Sequence, residues 1–308
     1  MGSKRFLVSK YRERRRTCQC LLLLLSVIAA VALIHERVRP VGCGRISIWS
    51  HRGHSNAEPG VVKRQRCQAT MQELQKNGIH HFDVDVVMDH GIAMVAHPTE
   101  MTGTNDTPSP CAQVSFHHFV LMMKQVYGPT GFYFTVEPKA SWRDEGRYLE
   151  EPQIVLEGIL SVLEESPVQD KNCAIILEPT QASDSRIEHL LDRAQESCGL
   201  AQSFKRNAAP LGVQDVPSDD YQISMPALEL FGGFDGDSFL TLSGRKPNLK
   251  TVVWMVETRD QLMKAMTIGG VDGVVSNHPI QVKEMYEEIC RVSKPGDSLR
   301  AASSSSDR

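Results

Sequence analysis

From Arg45 onward the chain alternates short apolar, β-branched stretches with amphipathic ones, and this alternation constrains the fold more than any other feature. The strand-like stretches are residues 46–50, 82–86, 132–136, 174–177, 222–230, 252–256 and 271–275, each bounded by turn residues or charge. Residues 67–77, 115–127, 151–165, 183–197, 258–268 and 280–292 have helical periodicity. Strand–helix alternation predicts a parallel sheet covered by helices. Seven strands are distinct, and an eighth, weaker one is expected between residues 200 and 213. Eight repeats would close an α/β (β/α)8 TIM barrel over residues 44–292. An open doubly wound sheet is the alternative, although no Gly-x-Gly-x-x-Gly follows the first strand. The tail, residues 293–308, is Ser-rich and polar and reads as disordered.

The 40 residues at the N-terminus have a different character. Residues 1–17 form a basic tail, with Lys4, Arg5, Lys10, Arg12, Arg14, Arg15 and Arg16 against Glu13 alone. Residues 18–34 contain no charge and are long enough for a short transmembrane helix. By the positive-inside rule this is a signal anchor with a cytosolic tail, giving a type II, single-pass membrane protein with a lumenal or extracellular body. A cleaved signal peptide, cut after Ala30-Val31-Ala32, would instead release a secreted protein. Beyond Pro40 the chain carries 25 basic and 35 acidic residues, a balance that argues against nucleic acid as a partner. Cys43, Cys67, Cys111, Cys173, Cys198 and Cys290 lie beyond the apolar run. In an oxidising compartment they can form up to three disulfides, whose pairing the sequence leaves open. Asn105-Asp106-Thr107 is a glycosylation sequon.

In a barrel, functional side chains gather at the carboxyl ends of the strands. Here those ends carry Ser50-His51-Arg52-Gly53, Asp83-Val84-Asp85, Glu137-Pro138-Lys139, Glu178-Pro179 and Ser276-Asn277-His278-Pro279, and the apolar residues 92–96 lead into His97-Pro98. Asp83 and Asp85 are two apart and share one face of a strand. With Glu137 they make three oxygen ligands suited to a hard cation, Mg2+ or Ca2+. Such a cation would bind a phosphate oxygen and offset transition-state charge. His51 and His97 can serve as general base and acid, and Arg52 and Lys139 can hold phosphoryl oxygens. Taken singly, each has a plainer reading: a solvated Asp-x-Asp, a hydrogen-bonded histidine, an Arg paired with an acid. His54, His80, His81, His117 and His118 are assigned to loops or helix faces. Trp254 is either barrel core or a pocket wall.

These segments resemble the glycerophosphodiester phosphodiesterases. The likeness rests on His51-Arg52-Gly53, on the run from His81 to Pro98 with its turn at Asp89-His90-Gly91, and on Thr135-Val136-Glu137-Pro138-Lys139. It continues through the Trp254 strand and through Asp272-Gly273 to Pro279. The resemblance implies a TIM barrel that hydrolyses a glycerophosphodiester or lysophospholipid to an alcohol and a glycerol phosphate. It further implies a catalytic pair His51 and His97, metal ligands Asp83, Asp85 and Glu137, and substrate contacts at Arg52, Lys139 and Trp254. In the implied path a substrate hydroxyl attacks phosphorus and water then opens the cyclic phosphate. Three departures stand out: Asp83 replaces the usual Glu, His54-Ser55-Asn56-Ala57 replaces Pro-Glu-Asn-Thr, and Ser276-Asn277-His278-Pro279 replaces Thr-Asp-x-Pro. Arachnid-type sphingomyelinase D proteins share the barrel and the paired histidines, so a sphingolipid is the alternative substrate. A barrel that has lost catalysis and binds a partner is a second alternative. A type II glycosyltransferase using Asp83-x-Asp85 is a third, less consistent with the two histidines.

Overall fold

The structure is a computed structural model that describes residues 43–54, 63–101, 109–139, 151–169, 172–177, 185–204, 221–226, 250–268 and 270–292. The expected membrane segment, residues 18–34, lies outside them, as do Asn105 and Glu178. Among the described residues no helix is long and apolar enough to cross a membrane.

Among the described residues ten strands form one sheet: β1 (Ser47–His51), β2 (His81–Asp89), β3 (Ile92–Val95), β4 (Val114–Ser115), β5 (Tyr133–Pro138), β6 (Cys173–Leu177), β7 (Leu200–Phe204), β8 (Tyr221–Pro226), β9 (Lys250–Val253) and β10 (Gly273–Ser276). Eight of them pair in parallel, in the order β1-β2-β5-β6-β7-β8-β9-β10, and β10 pairs back onto β1. The curled parallel sheet is an α/β arrangement consistent with a TIM barrel. The weak eighth strand is β7. β3 folds back antiparallel on β2 through a two-residue turn at His90 and Gly91, whose φ values are 49° and 78°. Positive φ at both positions defines a type I′ turn, the hairpin form whose twist matches the strands. β4, a two-residue strand beyond β3, was not expected; it is too short to have a period.

The helices among the described residues are α1 (Lys63–Lys76), α2 (Pro98–Met101), α3 (Phe116–Tyr127), α4 (Pro152–Glu165), α5 (Leu191–Ser197), α6 (Arg259–Thr267) and α7 (Pro279–Val292). Their limits follow capping chemistry: Ser115 accepts from His118 N before α3, and Thr258 with Gln261 forms a capping box on α6. The helix expected over residues 183–197 is shorter than its pattern. Residues 185–187 are a turn, followed by a single 3₁₀ turn (Glu188–Leu190) and then α5.

Strand parity divides the core in two. Ile48, Phe82, Val84, Val86, Phe134, Val136, Ile175 and Val274 pack outward under the helices. Trp49, Ala174, Ile176, Ala201, Ile223, Met225, Val252 and Val275 form a smaller interior cluster, with Tyr133 and Trp254 against it. Successive side chains on a strand point to opposite faces, so His51, Asp83, Asp85, Thr135 and Glu137 share the interior face with Trp49 and Tyr133. Three disulfides tie the body together: Cys43–Cys290, Cys67–Cys111 and Cys173–Cys198.

Candidate functional site

β1 ends at His51, and the chain turns sharply through Arg52 and Gly53, with φ of 52° and 68°. Both lie in the left-handed region, which favours glycine. Gly53 is further constrained because a Cβ there would stand 3.1 Å from Cys111 Sγ. The turn is pinned to the neighbouring strand by Arg52 N, which donates to Asp83 O at 2.5 Å. In the strand register His51 lies beside Asp83, Asp83 beside Thr135, and Asp85 beside Glu137. Three adjacent strands therefore place four of the expected site residues in two neighbouring interior rows.

The upper row is an ionic cluster. Asp85, only 3% exposed, pairs with Arg52 through Nε and with Lys139 Nζ at 3.3 Å. Lys139 Nζ also lies 2.5 Å from Glu137 Oε1. Burial works to raise the Asp85 carboxyl, but the ammonium of Lys139 and the guanidinium of Arg52 outweigh it and hold the group well below the usual carboxylate range. Lys139 shows the reverse: burial opposes its charge, yet Asp85 and Glu137 keep it above its ordinary value. Asp83 accepts from Thr135 Oγ1 at 2.8 Å. Burial, and then the charges of Asp85 and Glu137, push its carboxyl up to about 7.

Both histidines are lowered by burial first, and the cluster modulates them. Burial and then Arg52 lower His51 to about 4. His97 is also lowered to about 4, mainly by burial, with Asp85 acting against it. Its segment reaches the site because Ala96 N donates to Asp85 O at 3.0 Å. His51 Nδ1 lies 2.8 Å from Asn277 Oδ1. With the amide oxygen accepting, Nδ1 carries the proton and Nε2 keeps its lone pair. Glu257 holds Asn277 in place: its carboxylate accepts from Asn277 N at 2.9 Å and from Ser276 Oγ at 3.2 Å.

The expected catalytic residues, cations and carboxylates thus come to one end of the barrel. Trp254 follows β9, half-buried against the interior cluster, with Nε1 donating to Met225 O at 2.8 Å. It walls the interior. The three carboxylates suit a hard cation in their donor chemistry, and their mutual repulsion at Asp83 is what such a cation would relieve. They do not converge as arranged: among the described residues no three His, Cys, Asp or Glu groups are placed to hold a metal ion. Lys139 stands between two of the three.

Sequence reasoning missed Asn277, Glu257, His54 and His81. Asn277 was visible as part of the last strand end and as a departure from Asp, without a role of its own, and Glu257 as the end of an apolar run. His54 lies under the same loop, its ring 6.4 Å from that of His51, and burial lowers it to about 3. His81 belongs to β2 and the barrel interior, its ring 5.0 Å from that of Trp49, rather than to a loop or helix face. Its spacing of two from Asp83 was the available signal.

No family model matches the sequence, and no curated protein matches it significantly. Solved structures do match. A protein from Galdieria sulphuraria assigned to the glycerophosphodiester phosphodiesterases superposes with a TM-score of 0.56 at 14% identity, covering 79% of this chain and 99% of that one. A glycerophosphodiester phosphodiesterase from Parabacteroides distasonis gives 0.56 at 11% identity, covering 80% and 99%. The enzyme of that name from Thermotoga maritima gives 0.50 at 14%, covering 78% and 98%. The chain shares its fold with the glycerophosphodiester phosphodiesterases. At these identities the likeness is one of fold, and the chemistry must be argued from the site.

Proposed function

We propose that the chain is a phosphoric diester hydrolase that cleaves a glycerophosphodiester or lysophospholipid to an alcohol and a glycerol phosphate. The observation that carries this reading is that two histidines, held neutral by burial, lie beside the buried Asp85 and its partners Arg52 and Lys139 at the carboxyl ends of the strands.

His51 is the base. Its Nδ1 proton is engaged by Asn277, so Nε2 takes the proton of the attacking substrate hydroxyl as oxygen bonds to phosphorus. His97 donates a proton to the departing alcohol oxygen, and the anionic phosphate beside it raises its proton affinity for that role. Water then opens the cyclic phosphate with the two roles exchanged. Arg52 and Lys139 hold the non-bridging oxygens and offset charge as it develops. Asp83, Asp85 and Glu137 would hold a divalent cation, Mg2+ or Ca2+, only by closing on it with Lys139 displaced from between Asp85 and Glu137, and its contribution would be charge neutralisation at phosphorus.

We also place the body across a membrane from the basic N-terminal tail, anchored by residues 18–34 and glycosylated at Asn105. Three disulfides support an oxidising compartment.

The test is hydrolysis of glycerophosphocholine, glycerophosphoinositol, lysophosphatidylcholine and sphingomyelin by the full chain, with Mg2+, with Ca2+ and with chelator. Metal-dependent release of the alcohol from a glycerol-based diester is expected. Turnover of sphingomyelin alone would assign the sphingolipid branch instead. No turnover by folded protein would overturn the reading.

A further inference from the structure

Resting on the phosphodiesterase reading, we infer that Glu100 and Ser109 are positioning residues that clamp the two histidine loops to one another. Glu100 lies on α2 and is 5% exposed; Ser109 is 4% exposed. The two oxygens of one carboxylate divide between two backbone amides: Glu100 Oε2 accepts from His97 N at 2.7 Å, and Oε1 accepts from Ser109 N at 2.6 Å. The Ser109 hydroxyl then donates to Arg52 O at 2.7 Å, one residue beyond His51, and accepts from Cys111 N at 3.1 Å. A continuous path therefore runs from the backbone of His97 through Glu100 and Ser109 to the loop that carries His51.

The path is anchored on a rigid point. Cys111 is joined to Cys67 on α1, and its sulfur packs against Gly53. Gln113 N donates to Val95 O at 2.9 Å, fixing the same segment to the strand that leads into His97. A buried carboxylate accepting charge-assisted bonds from amides is a strong and directional tie. Its place here is unusual in that one of those amides belongs to a residue of the reacting pair. Base and acid must act on opposite sides of one phosphorus, and a displacement of about 1 Å costs roughly 100-fold in rate. The bonds of Glu100 and Ser109 run to backbone groups of the two loops, so the clamp acts through the segments that carry the histidines.

Ser109→Ala, Ser109→Thr, Glu100→Gln and the Glu100→Gln/Ser109→Ala double variant test this in the full chain. Removing the hydroxyl should lower kcat by about 10–100-fold with KM changed less than about 3-fold, and Ser109→Thr should restore kcat. The double variant should be no slower than the slower single, because both changes break one path. Independently of turnover, the imidazole ¹⁵N resonances of His51 and His97 should both move in each single variant. Additive kinetics, or movement of only the nearer histidine in each variant, would overturn the clamp, as would an unchanged kcat. If both resonances move in a protein that hydrolyses no diester, the clamp stands and the phosphodiesterase reading fails.

Discussion

The barrel interior has two ends built on the same three strands, and they are occupied very differently. At the amino-terminal end Trp49, His81 and Tyr133 lie side by side in register. The Trp49 ring is 5.0 Å from His81 and 5.6 Å from Tyr133, and Lys250 reaches over the outer face of Tyr133. Two residues further along each strand stand His51, Asp83 and Thr135, followed by Asp85 and Glu137 with Lys139 and Arg52. The lower row is held by ring packing, with one aromatic handle satisfied locally: Trp49 Nε1 donates to Ser47 Oγ at 2.8 Å. The Asp85 and Glu137 row is held by ion pairs to Arg52 and Lys139, and the His51 and Asp83 row by hydrogen bonds to Asn277 and Thr135. The lower row therefore carries stability alone, whereas the upper rows carry both stability and chemistry, and substitutions should separate the two ends.

The largest expected effect is at Lys139. Lys139→Met leaves the buried Asp85 and the part-buried Glu137 beside only one cation, so it should cost about 3–5 kcal/mol of stability and abolish turnover, measured by urea denaturation and diester hydrolysis on the same preparation. Trp49→Ala should cost a comparable 3–5 kcal/mol or so while kcat per folded molecule stays within a few-fold. An equal loss of kcat would mean the two ends are not separable. Asn277→Leu should lower kcat by about 10–100-fold, the scale on which a partner that orients a histidine acts, with little change in KM, and Asn277→Asp should retain more activity because it still accepts from Nδ1.

A smaller effect distinguishes the carboxylates by pH. Asp83, raised to about 7 in the fold, keeps its proton there after the unfolded chain has lost its own. Between about pH 4 and 7 the native state binds one more proton, so this group's contribution to stability falls as pH rises, by up to about 1.4 kcal/mol per unit. Asp85 is depressed, and its contribution is present above the unfolded value and lost as pH falls through the folded one. In chelator, Asp83→Asn should therefore gain stability relative to wild type from pH 4 to 7 and then level off. A difference that does not change with pH would contradict the burial of Asp83 beside the charges of Asp85 and Glu137.

The sequence made the strands and their catalytic ends legible because apolar runs stopped at ionisable residues: His51 after Ile48 and Trp49, Glu137 after Phe134 and Val136. It disclosed β7 poorly, since Leu200–Phe204 holds no β-branched residue. Two-residue spacing gave the shared face of Asp83 and Asp85, but not that Lys139 would stand between Asp85 and Glu137, because ion pairing depends on side chains crossing between strands. Asn277 and Glu257 were illegible for the same reason. They lie 226 and 206 residues beyond His51 in the chain, and only barrel closure brings the first of them onto its ring. The pairing of the three disulfides could not be read from an even number of cysteines, since it is set by which distant segments the fold brings together.

The central claim is that His51 and His97 act on one diester from opposite sides. Its most direct measurement is hydrolysis of the preferred glycerophosphodiester by wild type, His51→Ala and His97→Ala at matched folded concentration. Each substitution should lower kcat by about 10²–10⁴-fold, and the double variant should fall little below the singles, because the histidines serve the same transition state. Full activity in either single variant would contradict the account.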